Sequence, residues 1–193
     1  MSRQYWSETL AWATAAGTAV ANSAVETILI PNVTIPANYM QDGRALLVKA
    51  TGAYGTHSAT TGFTMAMRWG GVAGTHICES AVNVLTVSFG GGASMTALWE
   101  MEALIQTRSN GSSGTLFTNG HATFYSATLT TGGTIANYGM PIPLVSGTGG
   151  GATPVVATVD LTADTALSLT GLWATANAAN SIRCDTFIIK SLN

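Results

Sequence analysis

The chain has 193 residues, enough for one domain with a sizeable buried core. Charged residues make up 8% of it, against about 25% in a typical soluble domain, and the net charge is −2. This balance offers nucleic acid no basic patch, and no apolar run approaches the ~20 residues of a membrane-spanning helix.

Residues 1–23 read as an N-terminal arm ahead of a domain spanning 24–193. Leu10 to Ala24 is apolar and Ala-rich, and its Ala21-Asn22-Ser23-Ala24 ending has the look of a leader cleavage region. Glu8 opposes the lone Arg3 before it, and the run is rich in Thr, so an arm is the expectation. Ser7 could cap a short helix, and Trp6 and Trp12 give the arm something to bury on a partner or on its own domain.

From Val25 onward, short apolar runs alternate with turn residues. Strands are expected at Glu26–Ile35 (Pro31 marking a bend, bulge or edge), Arg44–Thr51, Phe63–Trp69, Thr75–Glu79 and Val82–Phe89. Leu98–Arg108 has the clearest alternation: Trp99, Met101, Ala103 and Ile105 against Glu100, Glu102, Gln106 and Arg108. Asn110-Gly111 then signals a hairpin into Thr115–Ala127, where Asn119-Gly120 reads as a bulge or a second turn. Thr131–Ala152, with Pro141 and Pro143 as breakers, reads as a long loop with short extended pieces. Val155–Asp160, Ala166–Trp173 and Ser181–Ile189 complete the set. Short strands at this spacing predict an all-β fold, a two-sheet antiparallel β-sandwich of jelly-roll type.

Motifs that carry chemistry are sparse. Glu100 and Glu102 lie side by side on one strand face, whereas glycoside hydrolysis needs two carboxyls flanking one bond, such as Glu100 or Glu102 against Asp160 across a cleft. They read as solvent-facing charges. His57, His76 and His121 have no metal-ligand spacing, and HExxH, GxSxG and P-loop patterns are absent. Gly147, Gly149 and Ala152 fit a loose dinucleotide pattern, but Pro154-Val155-Val156 follows where a helix is required. Cys78 and Cys184 read as two buried thiols, with pairing left open. Asn32-Val33-Thr34 and Asn110-Gly111-Ser112 are formal glycosylation sequons. No catalytic, cofactor or metal site is therefore expected. Trp69, Trp99 and Trp173, with Tyr54, Tyr125 and Tyr138, would suit stacking on sugars. Trp69 and Trp99 read as core, and for contact through exposed loop aromatics Tyr54 and Tyr138 are the natural glycan-contact candidates.

The stretches Ile28–Asp42, Gly43–Ala50, Met67–Thr75, Leu98–Thr115 and Val159–Asn193 resemble jelly-roll virion proteins of tailed double-stranded-DNA bacteriophages. The resemblance covers most of the chain after the arm and rests on texture and strand order. It implies a capsid decoration or cement protein, a homotrimer that binds the major capsid protein or other virion proteins. Such a protein is assembled in the bacterial host cytoplasm and works without nucleic acid, membrane or cofactor. The competing expectations are a tail or fibre component binding host surface glycans, and a glycan-cleaving enzyme.

Overall fold

Thr, β-branched and aromatic residues set between glycine breaks favour extended backbone, and strands are what forms. The computed structural model describes residues 7–56, 62–80, 97–125, 139–148 and 153–192. Among them there is no helix. The strands are β1 (Ser7–Trp12), β2 (Val20–Ala21), β3 (Thr27–Ile28), β4 (Val33–Ile35), β5 (Ala45–Gly55), β6 (Phe63–Trp69), β7 (Thr75–Ser80), β8 (Ala97–Ser109), β9 (Gly114–Tyr125), β10 (Gly139–Ser146), β11 (Ala157–Val159), β12 (Thr165–Trp173) and β13 (Ser181–Leu192).

All join one antiparallel sheet in the order β1-β13-β5-β8-β9-β10-β7-β6-β12-β3, with β2 on β13, β4 on β12 and β11 on β9. The sheet curls around its core. Strands lie about 4.8 Å apart, so β6 would be about 14 Å from β9 in a flat sheet. Instead Phe63 of β6 and Phe124 of β9 meet edge to face, 5.9 Å between centroids. Trp173 of β12 packs on Phe63 at 4.7 Å, and Tyr54 of β5 on Phe124 at 5.3 Å. The all-β, antiparallel expectation is met by this single curled, half-barrel sheet.

Period-two alternation decides which side chains fill it. In β8, Ala97, Trp99, Met101, Ala103, Ile105 and Thr107 are buried, while Leu98, Glu100, Leu104, Gln106 and Arg108 face out. In β12 both faces are covered. Leu167, Leu169 and Trp173 enter the core, and Ser168 and Thr170, also fully buried, face the segment from Glu26 to Asn32.

Several expectations need correction. Ser7 caps no helix: it opens β1, which pairs with β13 from Ser7↔Leu192 to Trp12↔Ile188, so this part of the arm lies on its own domain. Pro31 divides the first expected strand into β3 and β4. Asn119-Gly120 is neither bulge nor turn, because register runs unbroken from Leu104↔Asn119 to Ala103↔Gly120. Glycine stands there because a Cβ would lie 2.5 Å from the Glu102 carbonyl oxygen. The expected 131–152 loop contains β10. Its prolines sit where β10 pairs with β9 but not yet with β7, which begins at Leu144. Two residues apart, both missing N–H groups point to the same side, and that edge has no ladder partner among the described residues. The expected strand at Val82–Phe89 lies outside the described residues.

Candidate functional site

The outward residues of β13, β5, β8 and β9 line up in rows across the strands. One row is Lys190, Leu47, Leu104 and Asn119; the next is Ile188, Lys49, Glu102 and His121; the third is Thr186, Thr51, Glu100 and Thr123. Trp12 of β1 extends the second row beyond Ile188. Trp12, Ile188, Leu47 and Leu104 thus form an apolar line among the charged and polar members of the first two rows, and the third row, toward one end, is wholly polar.

A bulge shapes the polar end. Register slips by one between Cys184 and Thr186. Cys184 stays in the core, Thr186 faces out, and Asp185 is the extra residue between them. A bulge re-aims side chains in this way. Arg183 Nε donates to Asp185 Oδ1 at 2.6 Å, and the Thr51 and Thr186 hydroxyls are 2.6 Å apart. On the inner side, Trp99 Nε1 donates to the Arg183 carbonyl at 3.1 Å. The indole reaches it by crossing Gly52, the residue that pairs with both Trp99 and Cys184.

Above this floor lies a cavity of about 290 Å³ walled by Thr51, Leu98, Glu100, Tyr125 and Asp185. It adjoins a depression of about 170 Å³ bounded by Lys49, Glu102 and His121, with Thr51 and Glu100 common to both. Tyr125 donates its phenol to Glu100 at 2.5 Å, and that hydrogen bond raises the phenol above its ordinary pKa. Lys49 pairs with Glu102 at 2.5 Å. Leu98 is 63% exposed and Tyr125 38%, so the groove offers both apolar surface and carboxylates to solvent.

A second polar cluster lies on the outer side of β12, β6 and β7. Glu26 receives both Arg68 Nε (2.6 Å) and Arg68 Nη2, and also the Thr170 hydroxyl (2.6 Å). His76 stands 3.9 Å from Glu26 and 3.8 Å from Glu79. Burial pushes the Glu26 carboxyl up, but the hydrogen bonds from Arg68 and Thr170 and the charges of Arg68 and His76 outweigh it. The group is held below its ordinary 4.5. Since the folded pKa is the lower one, Glu26 contributes its stability above about pH 4.5 and loses it as pH falls through the folded value. Glu26→Gln is therefore expected to cost about 1–2 kcal/mol at neutral pH. The deficit should close in acid, as read from urea unfolding between pH 7 and pH 3. The cluster fastens the Glu26–Asn32 segment to β12 and β6.

Of the expected glycan contacts, Tyr54 is overturned as an exposed loop residue. β5 runs on through Gly52 to Gly55, and Tyr54 shares the inward face with Leu46, Val48 and Ala50. Its hydroxyl donates to the Tyr125 carbonyl at 3.0 Å, and burial raises its pKa. Tyr138, Trp6 and His57 lie outside the described residues. Trp12 ends β1, 63% exposed. Cys78 and Cys184 are buried and unpaired with each other, and burial pushes each thiol up to about 12. Asp160 does not face Glu100. Its carboxylate accepts from the Thr162 amide and hydroxyl at 2.8 and 2.6 Å, while Asp185 lines the groove. His76 and His121 are separate, and among the described residues no group of three His, Cys, Asp or Glu is placed to hold a metal ion. The residues that sequence reasoning missed are Asp185 and Thr51, which become neighbours of Glu100 only through pairing across strands and the bulge.

No family model matches the chain. No curated protein matches it. Among solved structures it is similar to the CBM2 module of the evolved Dit of Lactobacillus casei BL23 phage J-1, at 10% identity over 84% of this chain and 68% of that one, with a TM-score of 0.30.

Proposed function

We propose that this chain is a structural, non-catalytic protein of a tailed-phage particle that packs against neighbouring subunits, as a capsid decoration or cement protein does. The observation that carries this reading is a line of apolar side chains across the first two rows of the outward sheet face. Trp12, Ile188, Leu47 and Leu104 lie there in adjacent rows, with Trp12 63% and Leu104 41% exposed. Contiguous apolar side chains turned to water suit an association surface. A chain with only 8% charged residues has little else to keep copies apart. The sequence resemblance supports the phage setting.

On this reading the two halves of the curled sheet correspond to the two sheets of a jelly roll. The partners are further copies of the chain, as a homotrimer, and the major capsid protein or other virion proteins. Binding the assembled lattice alone would stabilise it by mass action, and three linked contacts would act through effective concentration. Quantitative mass spectrometry of purified particles tests this. A copy number at parity with the major capsid protein, or a simple fraction of it, is the expected result, and absence from the particle overturns the proposal.

The polar groove favours a second reading, a tail or fibre component that touches host surface glycans. A handful of copies per particle would select it.

A further inference from the structure

We infer that the groove between Asp185 of β13 and Tyr125 of β9 is a binding site for an uncharged glycan. This deepens the host-contact reading and rests on it for its biological setting.

A sugar ring presents an apolar C–H face and hydroxyls that both donate and accept. Recognising it takes an apolar platform flanked by fixed acceptors and donors. The groove has each part. Leu98 and the Tyr125 ring supply apolar surface at one wall. Glu100 and Asp185 supply carboxylate oxygens from opposite sides, separated by Thr51 and Gly52 of the intervening β5. The Thr51 hydroxyl lies between, 2.6 Å from that of Thr186, and the Arg183 guanidinium adds N–H donors beside Asp185.

These groups are held before any ligand arrives. Tyr125 fixes Glu100, Arg183 fixes Asp185, and all sit on mutually paired strands rather than on loops. Side chains already ordered lose less entropy on binding. The bulge at Asp185 supplies a second, independent sign of a shaped surface, since it turns two successive residues of β13 over one residue of β5.

Charge selects the ligand class. Around the groove and its adjoining depression stand three carboxylates, Glu100, Glu102 and Asp185, against the cations Lys49 and Arg183. Both cations are engaged by Glu102 and Asp185, and Glu100 has only a neutral partner, so an acidic sugar meets uncompensated negative charge. The two depressions meet at Thr51 and Glu100, which gives the site a direction across the strands and room for more than one ring.

The test uses the full chain and isothermal titration with neutral di- and trisaccharides of glucose, galactose, rhamnose and N-acetylglucosamine, beside trigalacturonate as the acidic probe. Saturable binding of a neutral sugar is expected, at least tenfold tighter than trigalacturonate. Glu100→Gln and Tyr125→Ala should each weaken it tenfold or more, with near-UV circular dichroism unchanged, while Leu104→Ser, at the other end of the face, leaves it intact. If Tyr125→Ala fails to fold, Glu100→Gln carries the test alone. No saturable neutral binding, a preference for trigalacturonate, or binding indifferent to Glu100→Gln overturns the inference. None of these outcomes depends on copy number in the particle, so the site and the virion reading fail separately.

Discussion

Trp99→Ala is expected to destabilise the protein by about 3–5 kcal/mol, the cost of deleting a large buried aromatic side chain. Trp99 is 1% exposed and sits near the start of β8, between β5 and β9. Two losses combine. The cavity left by the indole lies under strands already paired on both sides, which limits collapse. The Arg183 carbonyl, just ahead of the bulge, also loses the donor at Trp99 Nε1. Trp99→Phe separates the two, since it keeps most of the volume and removes the N–H. It should cost about 1–2 kcal/mol, the range for a buried acceptor left without its partner. Guanidinium unfolding followed by far-UV circular dichroism reads both. A Trp99→Ala protein as stable as the wild type would show that the indole does not support the core.

Gly52→Ala should be comparably damaging, at about 3 kcal/mol or more, although it adds one methyl group. A Cβ at Gly52 would fall 1.9 Å from the Arg183 carbonyl oxygen and 2.8 Å from Trp99 Nε1. The first neighbour is backbone of a paired strand and cannot step aside without breaking the β5–β13 ladder. Trp99→Ala therefore removes the lesser clash only, and the double variant should remain worse than either single one. Full recovery of Gly52→Ala by Trp99→Ala would mean that the indole, not the strand, occupies the space. The same pair of residues forms the groove floor, so Gly52→Ala should also disturb the outward positions of Thr51 and Asp185.

Local alternation made the main strands legible. Phe63–Trp69 has the expected bounds, and Leu98–Arg108 is extended by one residue at each end. Asn110-Gly111 opens the turn between β8 and β9, with Gly111 at a φ of 103°. Punctuation residues misled the reading where tertiary pairing overrode them. Alternation ends the expected strand at Thr51, yet β5 runs on to Gly55, and Gly52 stands inside it because an indole and a neighbouring strand approach too closely for a side chain. Pro141 and Pro143 were read as loop, yet they fit a strand whose second neighbour starts later. The groove was half legible: Glu100 faces out as alternation predicts, but nothing local to Arg183-Cys184-Asp185 announces a bulge, and nothing near Glu100 announces β13 two strands away. The fate of Tyr54 follows from the same cause, since its face was fixed only once β5 was seen to run past Gly52.

β13 lies between β1 and β5, and pairs residues near the two ends of the described chain, Ser7 with Leu192. Its consequence is temporal. Until β13 is synthesised, β1 and β5 have no strand to join them, and the inward side chains of β5 and β8 remain partly open. Folding of this chain is thus governed by contacts of very high sequence separation, which are slow to form and leave strand edges exposed meanwhile. A nascent chain stalled before Ser181 would hold most of its strands and still lack the piece that closes its core, so the native core should form only once β13 is available, and in a single cooperative step.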